Sequence, residues 1–157
     1  DRNLSNQANT LTKTSYSLLY INELLIKLLP KDAQQEDLFN LYEQFLKKVN
    51  NDSNLELTLR HFELDLLDML GYGFDYDSEI DNQKPIEINS SYSFVSQRGF
   101  RKSNNSNFLG KDILSLKNRN LEEVPLKYLK EITTKAINSC LDGRDLTSRK
   151  IFRTIKQ

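Results

Sequence analysis

The chain has one histidine and one cysteine, two residue types that often act as general base and nucleophile, and they lie far apart in the sequence. The single histidine, His61, lies on the polar flank of an apolar helical pattern, so we expect a solvated or salt-linked side chain. The single cysteine, Cys140, lies on an apolar stripe and is expected to be a small, unreactive core residue. The sequence has no glycine-rich phosphate loop, paired-histidine metal helix or nucleophile elbow. It therefore predicts a protein that is not an enzyme and that needs no cofactor.

Arg60 is the first of several arginines whose surroundings suggest binding. It follows Glu56 by four residues and precedes Glu63 by three, so both carboxylates are within reach on a helix. An exposed ion pair of this kind contributes about 0.2–0.5 kcal/mol. A surface ion pair is therefore a sufficient explanation of Arg60 on the sequence alone.

A second group of cations is a candidate for nucleic-acid contact, and it consists of Arg98, Arg101, Lys102, Arg144, Arg149 and Arg153. The first three are interleaved with the aromatic residues Tyr92, Phe94, Phe100 and Phe108. Cations that follow a phosphate backbone and rings that stack on bases are typical of single-strand binding. The favoured alternative is that the rings form a small core, which still leaves the cations able to meet phosphate.

The charges are distributed unevenly between the two halves of the chain. Lys and Arg number 22 and Asp and Glu also number 22, so the net charge is zero. Residues 1–80 nevertheless carry a net charge of −7 and residues 81–157 one of +7. The second half is therefore the candidate for contact with a polyanion, although cations that only keep a surface soluble give the same count. One cysteine permits no disulfide within the chain and fits a reducing cytoplasm.

Apolar residues at helical spacing predict a mostly α fold, a helical bundle with a small satellite of β-hairpin and loop. The first helix is expected to begin near Tyr16 and to end before Pro30. The second carries the apolar positions of residues 38–49 and ends in the polar run at 50–54. The third, at about residues 54–70, has two apolar stripes and should be the central and most buried element.

Helical spacing returns at residues 111–116, from Pro125 to about residue 141, and at 146–155. Between residues 74 and 108 the helical period is lost, and Gly99 suits the turn of a hairpin with strands at 92–95 and 100–102. Ile86–Ile88 alternates and is a further strand candidate. These patterns predict three parts: a weakly ordered tether or remnant of a removed N-terminal domain at 1–13, a helical domain at 14–73 and 109–157, and a satellite inserted at 74–108.

Three sequence segments together resemble one known family. Residues 19–25 read LYINELL, residues 60–67 fit R-x-F-E-L-x-L-L and are followed by LGYG at 70–73, and residues 146–153 fit L-x-S-R-x-x-F-R. In this order and spacing they resemble the RecO family of bacterial recombination mediators over roughly residues 14–156. The family's N-terminal oligonucleotide-binding barrel has no counterpart here, so the chain resembles the C-terminal portion. The cysteines that hold zinc in many RecO-like chains are also missing, and no metal is carried over.

The resemblance implies a non-catalytic DNA repair protein of the bacterial cytoplasm and nucleoid. RecO-like proteins bind single- and double-stranded DNA, anneal strands, partner RecR and assist RecA loading. They also dock the acidic, phenylalanine-ended tail of single-stranded-DNA-binding protein on their helical domain, and Arg60 occupies the arginine of the matching motif. With the barrel absent, the DNA affinity of this portion is expected to be weak. A helical protein-interaction module unrelated to DNA is the alternative.

Overall fold

The computed structural model describes residues 2–51 and 54–156, and over these residues the predicted mostly α fold is confirmed. The elements are helices α1 (Arg2–Leu28), α2 (Gln35–Asn51) and α3 (Leu55–Met69), strands β1 (Tyr92–Val95) and β2 (Gly99–Lys102), and helices α4 (Gly110–Lys117), α5 (Leu126–Leu141) and α6 (Thr147–Lys156). A 3₁₀ turn at Leu121–Glu123 joins α4 to α5. Of the polar run expected to end α2, Asp52 and Ser53 lie outside the described residues.

The chain divides into two compact units. The first unit comprises the chain up to Leu55 and the chain from Leu141 onward, which includes α1, α2 and α6. The second unit, Glu56–Cys140, contains almost all of α3 and α5 together with the hairpin and α4. Residues 74–108 lie in this second unit, together with almost all of the third helix.

In the first unit, α1 packs against α6. Ile21, Leu24, Phe45 and Leu146 are buried, and Pro30 follows the end of α1 as expected. Residues 2–12 differ from the expected weakly ordered tether, because they form the first turns of α1 with every side chain exposed. These residues include neither glycine nor proline, so nothing in the sequence interrupts the helix that begins at Arg2.

In the second unit, α3 buries residues from both predicted stripes, namely Phe62, Leu64, Leu66 and Leu67. The helix ends in a Schellman motif at Gly71, whose φ is +82°. The N–H of Tyr72 donates to the carbonyl of Leu67, and the N–H of Gly71 donates to that of Asp68. Leu59 is only half-buried, so the stripe to which it belongs is incompletely covered.

The hairpin forms where it was predicted, with Phe94 opposite Phe100 and Val95 opposite Gly99. Gly99 has a φ of +118°, a conformation that residues with a Cβ rarely adopt. The expected strand at Ile86–Ile88 is wrong, since these residues are irregular. Pro85, the residue before them, forms only an isolated bridge with Ser78, and the N–H of Ile86 donates to the carbonyl of Asp77.

Phe62→Ala should reduce the free energy of unfolding of the second unit by about 3–5 kcal/mol, because it empties a buried ring site with 3% exposure. Urea denaturation followed by circular dichroism measures the loss. Leu59→Ala, at a half-buried position of the same helix, is the matched control and should cost clearly less. Equal losses at the two positions would contradict the burial of this face of α3.

Candidate functional site

Arg60 is held between α3 and α5 of the second unit. Its Nη2 lies 3.2 Å from Glu63 Oε1 and its Nη1 donates to Thr133 Oγ1 at 3.0 Å. Thr133 is fully buried and donates in turn to the carbonyl of Leu129 at 2.9 Å. Only 11% of the Arg60 side chain and 2% of the Glu63 side chain are exposed. The explanation of Arg60 as an exposed surface pair therefore needs correction, because its pair with Glu63 is largely buried.

Glu56 lies between Arg60 and a second cation. Its Oε1 is 3.9 Å from Arg60 Nε and 3.4 Å from Lys130 Nζ. Glu56 is about one-third exposed, whereas the side chain of Lys130 is 55% exposed. Leu126, one helical turn before Lys130 on α5, is 43% exposed. The surface beside Arg60 thus combines an accessible cation, a partly accessible carboxylate and an exposed apolar side chain.

The cations of the hairpin are paired with carboxylates of the preceding loop. Arg101 donates from Nε and Nη2 to the two oxygens of Asp81 at 2.8 and 3.2 Å, and this contact lowers the pKa of Asp81. Lys102 Nζ lies 2.7 Å from Glu87 Oε2, which lowers the pKa of Glu87. Arg98 is exposed in the turn. A phosphate that approached this hairpin would therefore have to compete with two carboxylates.

The aromatic residues interleaved with these cations form a core, as favoured from the sequence. Tyr92, Phe94, Phe100 and Phe108 are each at most 8% exposed. Phe100 lies at the centre, with ring centroids 5.7 Å from Phe94 and 5.9 Å from Phe108. Rings buried in this way are unavailable for stacking on bases.

The three C-terminal cations lie in the first unit and differ in their surroundings. Arg144 donates to the carbonyls of Lys27 and Leu141, at 2.7 and 2.8 Å, and so supports the C-terminal end of α1. The guanidinium of Arg149 lies 6.0 Å from the centre of the Tyr20 ring. Arg153 is exposed on α6. The six predicted cations are thus divided between the two units.

Glu23 joins two of the sequence segments singled out above. Its carboxylate accepts hydrogen bonds from the N–H groups of Thr147 and Ser148 and from the hydroxyl of Ser148, at 2.7, 2.9 and 2.7 Å. Lys27 Nζ lies 3.1 Å away. Burial alone would raise the pKa of Glu23, but the hydrogen bonds from Ser148, Thr147 and Lys27 together lower it to about 2. The carboxylate therefore caps the N-terminus of α6.

Sequence reasoning missed a cluster around Arg119. This arginine, in the left-handed conformation after α4, contacts Asp65 at 3.2 Å, Asp68, and the hydroxyl of Tyr76 at 3.3 Å. Asp65 and Asp68 lie three residues apart on α3, and that spacing was the only sequence signal for the cluster. Because Arg119 spans α3 and the segment that follows it, we assign the cluster a structural role.

The residues most often used in catalysis are not assembled into a site. His61 and Cys140 are both half-buried, and burial raises the pKa of the Cys140 thiol. Among residues 2–51 and 54–156, no three His, Cys, Asp or Glu side chains are grouped to hold a metal ion. Over the same residues, no helix has the length and apolar character needed to cross a membrane.

Comparison with known proteins identifies the same family by a family model and by individual relatives. A family described as "Recombination protein O C terminal" matches residues 10–146. The chain is 31% identical over 142 residues to the DNA repair protein RecO of Pseudoalteromonas atlantica, with 88% of this chain and 59% of that protein covered. It is 36% identical to RecO of Pectobacterium atrosepticum, covering 88% and 58%, and 33% identical to RecO of Vibrio cholerae, covering 88% and 59%. The chain thus spans about three-fifths of the length of these relatives.

The Glu23 cap predicts a pH-dependent contribution to stability. A lowered pKa means that the contribution is complete above the ordinary value of 4.5 and is lost as the pH falls toward about 2. Glu23→Gln should therefore reduce the free energy of unfolding by about 1–2 kcal/mol at pH 7, and the difference from wild type should shrink below pH 4.5. Urea denaturation at neutral pH and near pH 3 measures the loss of stability and its dependence on pH.

Glu43→Gln is the matched control for this prediction. Glu43 forms an exposed pair with Lys47 at 3.3 Å on α2, and its loss should cost under about 0.5 kcal/mol. A Glu23→Gln effect no larger than the control, or one that stays constant down to pH 3, would mean that the carboxylate charge does not stabilise α6.

Proposed function

This chain belongs to the RecO family, and on that basis we propose that it acts without catalysis in DNA repair and recombination. In this proposal it docks the tail of single-stranded-DNA-binding protein, assists strand annealing, and helps RecA loading together with RecR. It contacts single- and double-stranded DNA weakly and works in the bacterial cytoplasm, at the nucleoid. The proposal is supported by the family match over residues 10–146 and by relatives named as DNA repair proteins.

The observation that carries the docking proposal is the surface around Arg60. The tail to be bound is acidic and ends in phenylalanine, so its site needs a cation beside an apolar contact. Arg60 is fixed in position by Glu63 and Thr133, and Lys130 offers an accessible ammonium close to Glu56. Leu126 is the exposed apolar side chain nearby on α5. In our proposal the tail carboxylates meet Lys130 and the Arg60 edge, and the terminal ring covers Leu126.

In the same proposal, Glu56 opposes tail binding. Its carboxylate lies within ion-pair distance of both cations, so an incoming carboxylate has to displace it. Such an exchange replaces one ion pair by another and therefore yields only a modest net gain. Removing the Glu56 charge should for this reason strengthen tail binding.

For nucleic acid we propose contact through α6 more than through the hairpin. Arg149 and Arg153 lie on α6, and Arg153 is exposed. On the hairpin, Arg101 and Lys102 are both engaged by carboxylates, which leaves Arg98 as the cation there best placed to meet phosphate. Each phosphate that these cations neutralise would add to affinity through counterion release, and the carboxylates already paired with Arg101 and Lys102 fit the weak affinity expected of this portion of the family.

The docking proposal is tested with a labelled peptide that carries the acidic tail and a free C-terminal phenylalanine. Lys130→Ala should weaken binding about five- to tenfold, and Glu56→Gln should strengthen it, as measured by fluorescence anisotropy. Arg60→Lys should also weaken binding, because an ammonium cannot reproduce the contacts of the guanidinium with both Glu63 and Thr133. Arg60→Ala is unsuitable, since it leaves the largely buried Glu63 without this partner and endangers folding.

Lys135→Ala is the matched control on the same helix. Lys135 is 47% exposed and pairs with Glu131 at 2.7 Å, beyond Lys130 on α5. Its substitution should leave peptide affinity unchanged. If Lys130→Ala and Lys135→Ala have equal effects, or if a peptide without the terminal phenylalanine binds equally well, the proposed docking surface is wrong.

The DNA proposal predicts a change in salt dependence. Replacing Arg149 and Arg153 by alanine should weaken binding of a single-stranded oligonucleotide regardless of its base sequence, and should flatten the slope of log affinity against log salt by up to about 1.4. Arg144 is left in place because it supports the end of α1. Lys47→Ala is the control on α2. A binding strength that does not vary with salt would favour the alternative, a protein-interaction module unrelated to DNA.

A further inference from the structure

The hydroxyl of Thr133 joins α3 to α5 inside the second unit. Its oxygen accepts a hydrogen bond from Arg60 Nη1 at 3.0 Å, and its hydrogen is donated to the carbonyl of Leu129 at 2.9 Å. The carbonyl of Lys130 lies 3.5 Å from the same oxygen, and Thr133 is fully buried. Because a hydroxyl has one hydrogen, its donation to α5 leaves the oxygen as an acceptor for Arg60.

Arg60 and Lys130, the two cations of the proposed docking surface, lie close enough to share one carboxylate. Glu56 Oε1 is 3.9 Å from Arg60 Nε and 3.4 Å from Lys130 Nζ, and the sum of these distances, 7.3 Å, is the largest possible separation of the two nitrogens. Thr133 follows Lys130 by three residues, which is about one helical turn. The contact of Thr133 with Arg60 therefore relates the guanidinium on α3 to the turn of α5 that carries Lys130.

From this geometry we propose that Thr133 is a positioning residue for tail docking. Its hydroxyl holds the Arg60 guanidinium within reach of the carboxylate that Lys130 binds, so that one carboxylate of the tail contacts both cations in the place of Glu56. Thr133 is buried and does not itself touch the ligand. This role rests on the docking proposed above and adds the residue on which the joint action of the two cations depends.

Glu63 holds the same guanidinium but does not supply this positioning. It lies three residues after Arg60 on the same helix, and its Oε1 is 3.2 Å from Arg60 Nη2. A pair within one helix moves with that helix and does not fix the guanidinium relative to α5. The hydrogen bond to Thr133, in contrast, connects Arg60 to a residue 73 positions later. Loss of the Thr133 hydroxyl should therefore leave the Arg60–Glu63 pair in place and release the guanidinium from α5.

Thr133→Val should weaken binding of the labelled tail peptide about fivefold, because valine keeps the branched shape at Cβ and removes the acceptor for Arg60. Thr133→Ser keeps the hydroxyl and should restore most of the affinity. Thr134→Val is the matched control, because this neighbouring threonine is exposed on α5 and its substitution should leave the affinity unchanged. Fluorescence anisotropy measures the three affinities, and urea denaturation of each chain shows whether it is folded in the assay.

A combination with Lys130→Ala separates positioning from a general effect on the fold. If Thr133 lets one carboxylate contact both cations, Thr133→Val should weaken binding clearly less in a Lys130→Ala chain than in the wild-type chain. Losses that add in full would overturn the proposal, as would wild-type affinity of Thr133→Val or a Thr133→Ser chain as weak as Thr133→Val. A Thr133→Val chain that is unfolded in the assay would overturn it as well, because the hydroxyl then serves stability.

Separate results contradict the docking surface and the role of Thr133. If Lys130→Ala and Arg60→Lys both leave the affinity unchanged, the peptide does not bind at this surface and both proposals are wrong. If these two substitutions weaken binding and Thr133→Val does not, the docking surface stands and only the positioning by Thr133 is wrong.

Discussion

The carboxylate of Glu23, on α1, accepts hydrogen bonds from the N-terminus of α6 and so links the two ends of the described chain. It brings Ser148 to a helix 125 residues earlier, and Arg144 reinforces the closure by donating to the carbonyl of Lys27. With α1 and α6 joined, the first unit is built from both ends of the described chain, and everything from Glu56 to Cys140 is inserted within it. Hydrogen bonds from Ser148 and Thr147 favour the charged form of this carboxylate and hold its pKa near 2 despite its burial. The hydrogen bonds of Glu23 and Arg144 thus reinforce the packing of α1 against α6 in the first unit.

In the second unit, residues 74–108 contain no cysteine and are held by packed rings and hydrogen bonds. Phe74 extends the ring cluster, edge-on to Phe94 with centroids 4.9 Å apart. Tyr92 is almost fully buried, and its hydroxyl accepts from the N–H of Glu87 at 2.8 Å. Gly110 lets α4 begin directly against the carbonyl of Glu87, where a Cβ would lie only 2.0 Å away. Close contacts of this kind tie the irregular segment after α3 to α4.

The sequence predicted what depends on local pattern and missed what depends on distant partners. Helical periodicity located α3, α5 and α6 to within a few residues, and Gly99 located the hairpin, because these signals act through neighbouring residues. Arg60 was correctly given Glu63 as a partner, but its burial could not be foreseen, since Thr133 lies 73 residues away. The strand prediction at residues 86–88 was wrong for the same reason. An alternating pattern shows which face of a strand would be apolar, but it does not show whether a partner strand is available.

The ion pairs that its cations already form also limit the affinity of the protein for an acidic ligand. The net charge of the chain is zero, and Arg101, Lys102 and Lys130 each already lie within 3.4 Å of a carboxylate. A phosphate or a peptide carboxylate therefore exchanges one ion pair for another, and the gain per contact is small. Binding of this type is expected to be weak and sensitive to salt. This expectation agrees with the weak DNA contact proposed above, and it rests on the carboxylates that already pair with these cations.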